Sequence, residues 1–140
     1  MPTSSYNKIN QYVEDLAEGV HNHTSDSHVV ALTAAANAPV ATNTVLANLT
    51  QIAYTNLSSR ALSVTTSAQT SGTYTLLFTD LTLSASGGSV AAFRYVVIYN
   101  DTPTSPADPL IGWYDYGSDL TLADGESLLV DFTTSTFTIA

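Results

Sequence analysis

His21, His23, Asp26 and His28 fall within eight residues of one another. All four are metal-ligand types. Imidazoles two residues apart can both reach one ion, and Asp26 or His28 could complete its shell. The sequence around them offers no apolar frame to hold such a site rigid and no obvious carboxylate to orient an imidazole. Residues 21–28 therefore read as a polar loop carrying three solvated histidines. No metal and no cofactor is expected, and His21, His23 and His28 are kept only as candidate ligands.

A second group is acidic. Seven carboxylates lie between Asp101 and Asp131, with no basic residue among them. Paired carboxylates serve glycoside hydrolysis, and calcium takes oxygen ligands from loops. Yet Asp101, Asp108, Asp119 and Asp124 stand at turn-like positions, where Asp bonds its own backbone. No D-x-[DN]-x-[DN]-G loop is present. The third group is aromatic: Ile111-Gly112-Trp113-Tyr114-Asp115-Tyr116-Gly117. In a strand, Trp113 would share a face with Ile111 and Asp115, and Tyr114 with Tyr116. One set belongs to the core. The other offers a contact surface, so Trp113, Tyr114 and Tyr116 are the candidate residues for stacking on a sugar or anchoring a protein. There is no G-x-S-x-G, P-loop, dinucleotide fingerprint or H-E-x-x-H.

Composition limits the chemistry further. Lys8, Arg60 and Arg94 are the only basic residues in 140, against twelve carboxylates, and cysteine is absent. Such a chain has no thiol nucleophile and few cations to hold an anionic transition state, so it is not expected to be an enzyme. The formal charge of −9 argues against nucleic acid and against an anionic membrane surface, both of which need Lys and Arg. The start, Met1-Pro2-Thr3-Ser4-Ser5, does not read as a signal peptide, and no run reaches the ~18 apolar residues of a membrane span. Charged residues make up 11% of the chain, so its polar surface is mostly hydroxyls and amides. Such a surface packs against a neighbour with little charge to desolvate.

The elements that must position these groups follow from periodicity. Tyr6, Ile9, Val13, Leu16 and Val20 recur at helical steps, with Tyr12 beside them, predicting a helix over 6–18 with Ser5 as N-cap and Gly19 as stop. Glu14, Asp15 and Glu18 crowd its C-terminal turn, the wrong end for the macrodipole. A helix this short must dock to persist. Residues 29–33 read as a strand, and residues 34–49 as an extended arm of small side chains. Strands are predicted at 50–54, 59–66, 73–83, 92–99, 109–116, 119–122, 126–133 and 135–139, separated by turn signals. The parity change between Phe78 and Leu81 predicts a bulge or corner near Thr79-Asp80. The strand through Val96 should be central, with Arg94 needing a carboxylate or carbonyl partner. The expected fold is all-β, an antiparallel β-sandwich with jelly-roll-like character, preceded by a short helix and the arm. Residues 1–25 would form an oligomerisation or docking segment, and 26–140 the β-domain.

Several phrases resemble small structural proteins of tailed bacteriophages. They are the helical segment from Tyr6 to Asn22, Ala38-Pro39-Val40-Ala41-Thr42-Asn43-Thr44-Val45-Leu46, Gln69-Thr70-Ser71-Gly72-Thr73-Tyr74, and Arg94-Tyr95-Val96-Val97-Ile98-Tyr99-Asn100-Asp101 with the aromatic segment after it. The likeness is one of texture across nearly the whole chain, without a catalytic signature. It implies a virion protein, most like a capsid decoration (cement) protein. On that reading the chain is made in the host cytoplasm and sits on the capsid surface as a homo-oligomer, a trimer, bound to the major capsid protein. The contacts expected with sister chains or capsid are Tyr6, Ile9, Tyr12, Val13, Leu16, Pro39, Val40, Val45 and Leu46. The helix and histidine loop depart from the simplest decoration proteins. They leave open a tail or fibre module that binds a receptor or carbohydrate through Trp113, Tyr114 and Tyr116. Phage fibres also place His-x-His on a threefold axis to bind iron, which here would require the loop to lie on an axis.

Overall fold

The computed structural model describes residues 3–133 and 136–140. In chain order its strands are β1 (Asn7–Lys8), β2 (His28–Thr33), β3 (Ala61–Leu62), β4 (Val64–Thr70), β5 (Thr73–Phe78), β6 (Leu81–Ser84), β7 (Phe93–Asn100), β8 (Leu110–Leu120), β9 (Ser127–Val130) and β10 (Phe137–Ile139). The α-helix α1 spans Gln11–Ala17. A five-stranded sheet runs β1-β8-β7-β2-β3, a three-stranded sheet β10-β5-β4, and β6 pairs with β9. Every strand pairing is antiparallel. The sheets share one core, to which the large sheet contributes Val30, Leu32, Val97 and Ile98, β5 Leu76 and Phe78, and β6 Leu83. This is the antiparallel, predominantly β architecture that the alternating β-branched and aromatic runs require.

β7 lies between β8 and β2, and its residues Tyr95–Asn100 are all buried, as the two-sided apolar pattern predicts. Arg94 finds its partner in Asp115, with Nε and an Nη bonded to the two carboxylate oxygens at 2.8 and 3.0 Å. The chain leaves one sheet for another between Phe78 and Leu81, where the change of parity placed a corner.

Other elements differ from expectation. Residues 50–54 are irregular. With Arg60 they seal the open edge of β2 instead: Ile52 N–H bonds the Leu32 carbonyl, the Tyr54 hydroxyl accepts from Leu32 N–H, and Arg60 donates to the Val30 carbonyl at 2.6 Å. The stretch expected as 59–66 is split into β3 and β4. Residues 109–116 and 119–122 are not two strands; 110–120 form β8. Gly117, at φ 100°, sits where the register against β7 jumps, so the turn signal makes a bulge. Of the predicted 135–139 strand, Ser135 lies outside the described residues.

The N-terminal segment departs most. Asn7 and Lys8 pair with Trp113 and Gly112 of β8, and Ile9 N–H bonds the Ile111 carbonyl, so the helix begins only at Gln11. Asn10, not Ser5, is the N-cap, and its side chain makes no cap bond. The sheet edge captures the first half of the predicted helix because β8 offers unpaired backbone groups there. Ile9 and Tyr12 are 0% and 1% exposed inside this chain's own core, so neither serves as an external contact. Pro39 is buried, and Tyr6, Leu16, Val45 and Leu46 are half-buried. Val13 and Val40 stay open, each at 50% exposure. Residues 3–25 thus complete the β-core, and no boundary separates them from it. Truncation before residue 26 is expected to unfold the chain, seen as loss of the cooperative melting transition.

Tyr6 lies across Gly112, and a Cβ at that glycine would overlap its ring. Gly112→Ala must push Tyr6 off β8. A loss of about 1–3 kcal/mol is expected in chemical denaturation, the usual cost of overpacking.

Candidate functional site

The three histidines are not solvated. His21, His23 and His28 are 7%, 4% and 1% exposed, so the reading of residues 21–28 as a free polar loop is corrected. Their burial follows from the elements on either side. His28 opens β2 and pairs with Asn100, the last residue of β7. Tyr12 on α1 covers the loop from the other side. The rings form a stack and chain, with His21 and His23 centroids 5.4 Å apart, His23 and His28 5.1 Å apart, and His28 5.1 Å from Phe78 of the facing sheet.

Hydrogen bonds order the cluster. The Tyr12 hydroxyl and His23 Nε2 are 2.6 Å apart, and His23 Nδ1 and His28 Nε2 2.9 Å. Asn100 Nδ2 donates to Asp26 Oδ2 at 2.7 Å and to His21 Nδ1 at 3.1 Å. Because an amide nitrogen can only donate, His21 Nδ1 must accept, and in the neutral ring its proton is on Nε2. Asp26 Oδ2 also takes the Asn22 N–H at 2.8 Å. His21 Nε2 and Asp15 Oδ2 are buried without partners. So is His28 Nδ1 by strict geometry, although the Asp26 backbone carbonyl acts on that ring as an acceptor and favours its proton.

Burial makes the histidines weak bases. It pushes His23 down to about 3, with His28 and His21 adding repulsion, and His28 down to about 4 against the pull of Asp26. His21 is lowered by burial too, with Asp15 and Asp26 drawing it back. Burial alone would raise Asp26. The bonds from Asn22 and Asn100, and the nearby imidazoles, hold it below the usual carboxylate range instead. Tyr12 is raised, by burial first. At neutral pH the cluster is a set of uncharged rings, with His23 bonded to Tyr12 and His28, and His21 bonded to Asn100. Both His23 nitrogens are engaged, which leaves that ring no lone pair for an ion. Among the described residues, no group of three or more His, Asp or Glu is arranged to hold a metal. The arrangement ties α1 and its loop to the sheet.

Several acidic residues accept backbone N–H groups, mostly from distant segments and not from their own turns as expected. Asp119, Asp124 and Glu126 accept the N–H groups of Ala35, Gly87 and Ala123. Asp80 accepts from Phe132 N–H.

The aromatic segment splits as its alternation requires. Tyr114 and Tyr116 line an open groove of about 320 Å³ with Leu128, Leu129 and Phe132, whereas Trp113 is not part of it and packs half-buried against the core. Burial pushes the Tyr114 hydroxyl up to about 12. A second hollow, of about 410 Å³, lies between α1, the arm and residues 105–106. Gln11, Asp15 and Glu18 line one side, and Thr44, Val45 and Pro106 the other.

Sequence reasoning missed Tyr12 and Asn100 as members of the histidine cluster. Nothing local marks Asn100. Tyr12, one helical turn from Ile9 and Leu16, was expected to face sister chains or capsid, and is instead 1% exposed beside His23. Comparison with protein-family models, curated proteins and solved structures gives no match.

Proposed function

We propose that this chain is a non-enzymatic virion structural protein that decorates a capsid, docking as a homotrimer on the major capsid protein through the face formed by α1 and the arm. The observation that carries the reading is the pairing of α1 with the arm. The Asn10 N–H bonds the Ala41 carbonyl at 2.9 Å, and the two elements that meet there carry the half-exposed Val13 and Val40. Of the nine contact residues expected from sequence, these two are the ones left open, and the α1 segment beside them carries the exposed Glu14 and Glu18. The mechanism is burial of area across subunit joints, where many modest contacts act together.

The Tyr114–Tyr116 groove favours a second reading, in which the chain is a tail or fibre module that stacks a sugar on those rings. A glycan array separates the two. The decoration reading expects no saturable glycan binding and a sedimentation coefficient of a trimer for the free chain. Glycan binding lost on Tyr116→Ala would favour the module.

A further inference from the structure

Glu14 lies in the first turn of α1, but Asp15 and Glu18 stand toward its C-terminal end, where a helix ordinarily places cations and this one has none. Asp15 is 4% exposed, yet it lines the hollow between α1 and the arm. Its Oδ1 accepts from Gln11 Nε2 at 3.2 Å, while its Oδ2 has no donor. Glu18 stands one turn on, at the same hollow. Val20, Val45 and Pro106 supply apolar wall.

Of the chain's three cations, Arg94 and Arg60 are engaged elsewhere and Lys8 is exposed. Arg94 grips Asp115, the one ion pair among the described residues. Arg60 lies 3.7 Å from the Tyr54 ring centre and donates to the Val30 carbonyl. Lys8 sits on β1, opposite Gly112. A buried, half-satisfied carboxylate, a second acid and an apolar wall match a long basic side chain: the stem against the valines and proline, the head on the carboxylates.

We propose that this hollow receives an arginine or lysine side chain from the protein on which the chain docks. The inference rests on the docking reading above and names the contact at its centre. His21 offers the competing explanation, since its Nε2–H is also unpartnered and Asp15 is the carboxylate that most favours its charge. In that case Asp15 is merely an internal counter-group.

The test is a nuclear magnetic resonance titration of the full chain with the capped peptide Ac-Gly-Gly-Arg-Gly-Gly-NH2, its Gln counterpart, and calcium chloride. The expected result is saturable shifts at the Gln11 side-chain amide and the backbone amides of Asp15, Glu18 and Thr44 with the Arg peptide. Binding should be at least fivefold weaker for the Gln peptide, and likewise in the Glu18→Gln and Asp15→Asn variants. Glu18 is exposed, so its variant tests the site even if Asp15→Asn fails to fold. Shifts scattered over all surface acids, binding unaltered in Glu18→Gln, or saturation by calcium but not by the Arg peptide would overturn the proposal. A chain that binds the Arg peptide at this hollow but no capsid would leave the hollow assigned and refute the docking reading. Capsid binding undiminished in Glu18→Gln would do the reverse.

Discussion

At pH 4.5 the chain is expected to be about 5 kcal/mol less stable than at pH 7, because the buried histidines refuse protons that the unfolded chain accepts. Burial holds His23 at about 3 and His28 at about 4, against 6.5 unfolded. Folded-state values below the unfolded one mean that stability is complete above pH 6.5 and declines as pH falls below it. Each suppressed histidine costs about 1.4 kcal/mol per pH unit in that window. Two of them over two units give the stated loss, with His21 adding to it. That is comparable with the whole stability of many domains, about 5–15 kcal/mol, so acid unfolding near pH 4.5 is expected. The charged groups facing the rings, Asp15 from α1 and Asp26 from the loop, soften the penalty without removing it. Carboxylates cannot explain the loss: Asp26 and Asp115 are held below the usual range and give up their contribution only at lower pH. Guanidinium denaturation at the two pH values measures the difference, and equal stabilities would show that the rings are already open to water.

His23→Ala carries the second large effect. The substitution leaves the Tyr12 hydroxyl and His28 Nε2 buried with no partner and opens a cavity between α1 and β2. Two orphaned groups at about 1–3 kcal/mol each, plus the cavity, predict a loss of about 4 kcal/mol. In a domain of this size that lowers the melting temperature by about 15 °C. His23→Ala should also flatten the fall in stability between pH 7 and 4.5, since one of the two strongest contributors is gone. A variant melting within about 3 °C of the parent chain would mean that the ring is not part of the core.

The β architecture was legible because it rests on local alternation. The run Phe93–Asn100 has apolar residues on both parities, and only a central strand accommodates that. The corner at Thr79-Asp80 was visible as a change of parity. The histidine cluster was not legible, because its frame is long-range. His28 is held by Asn100, 72 positions along the chain, through sheet register. A polar stretch between helix and strand looks the same whether it is solvated or roofed by Phe78. The helix was overextended for a related reason. Tyr6 and Ile9 share its period, but a period of three or four does not reveal that β8 has a free edge to capture Asn7 and Lys8. The aromatic segment lay between these cases: alternation separated Trp113 from Tyr114 and Tyr116, while the partners of each set came from β9 and the core.

The docking account is tested most directly by co-sedimentation with capsids of the phage that, on this reading, encodes the chain. The wild-type chain and a Val13→Glu/Val40→Glu double variant should be compared after melting curves show both folded; the two valines are half-exposed, so the changes spare the core. The account predicts saturable pelleting of the wild-type chain at a fixed ratio to capsid protein, and at least a tenfold loss of affinity in the double variant. A wild-type chain that remains in the supernatant, or a double variant that pellets equally well, would contradict it.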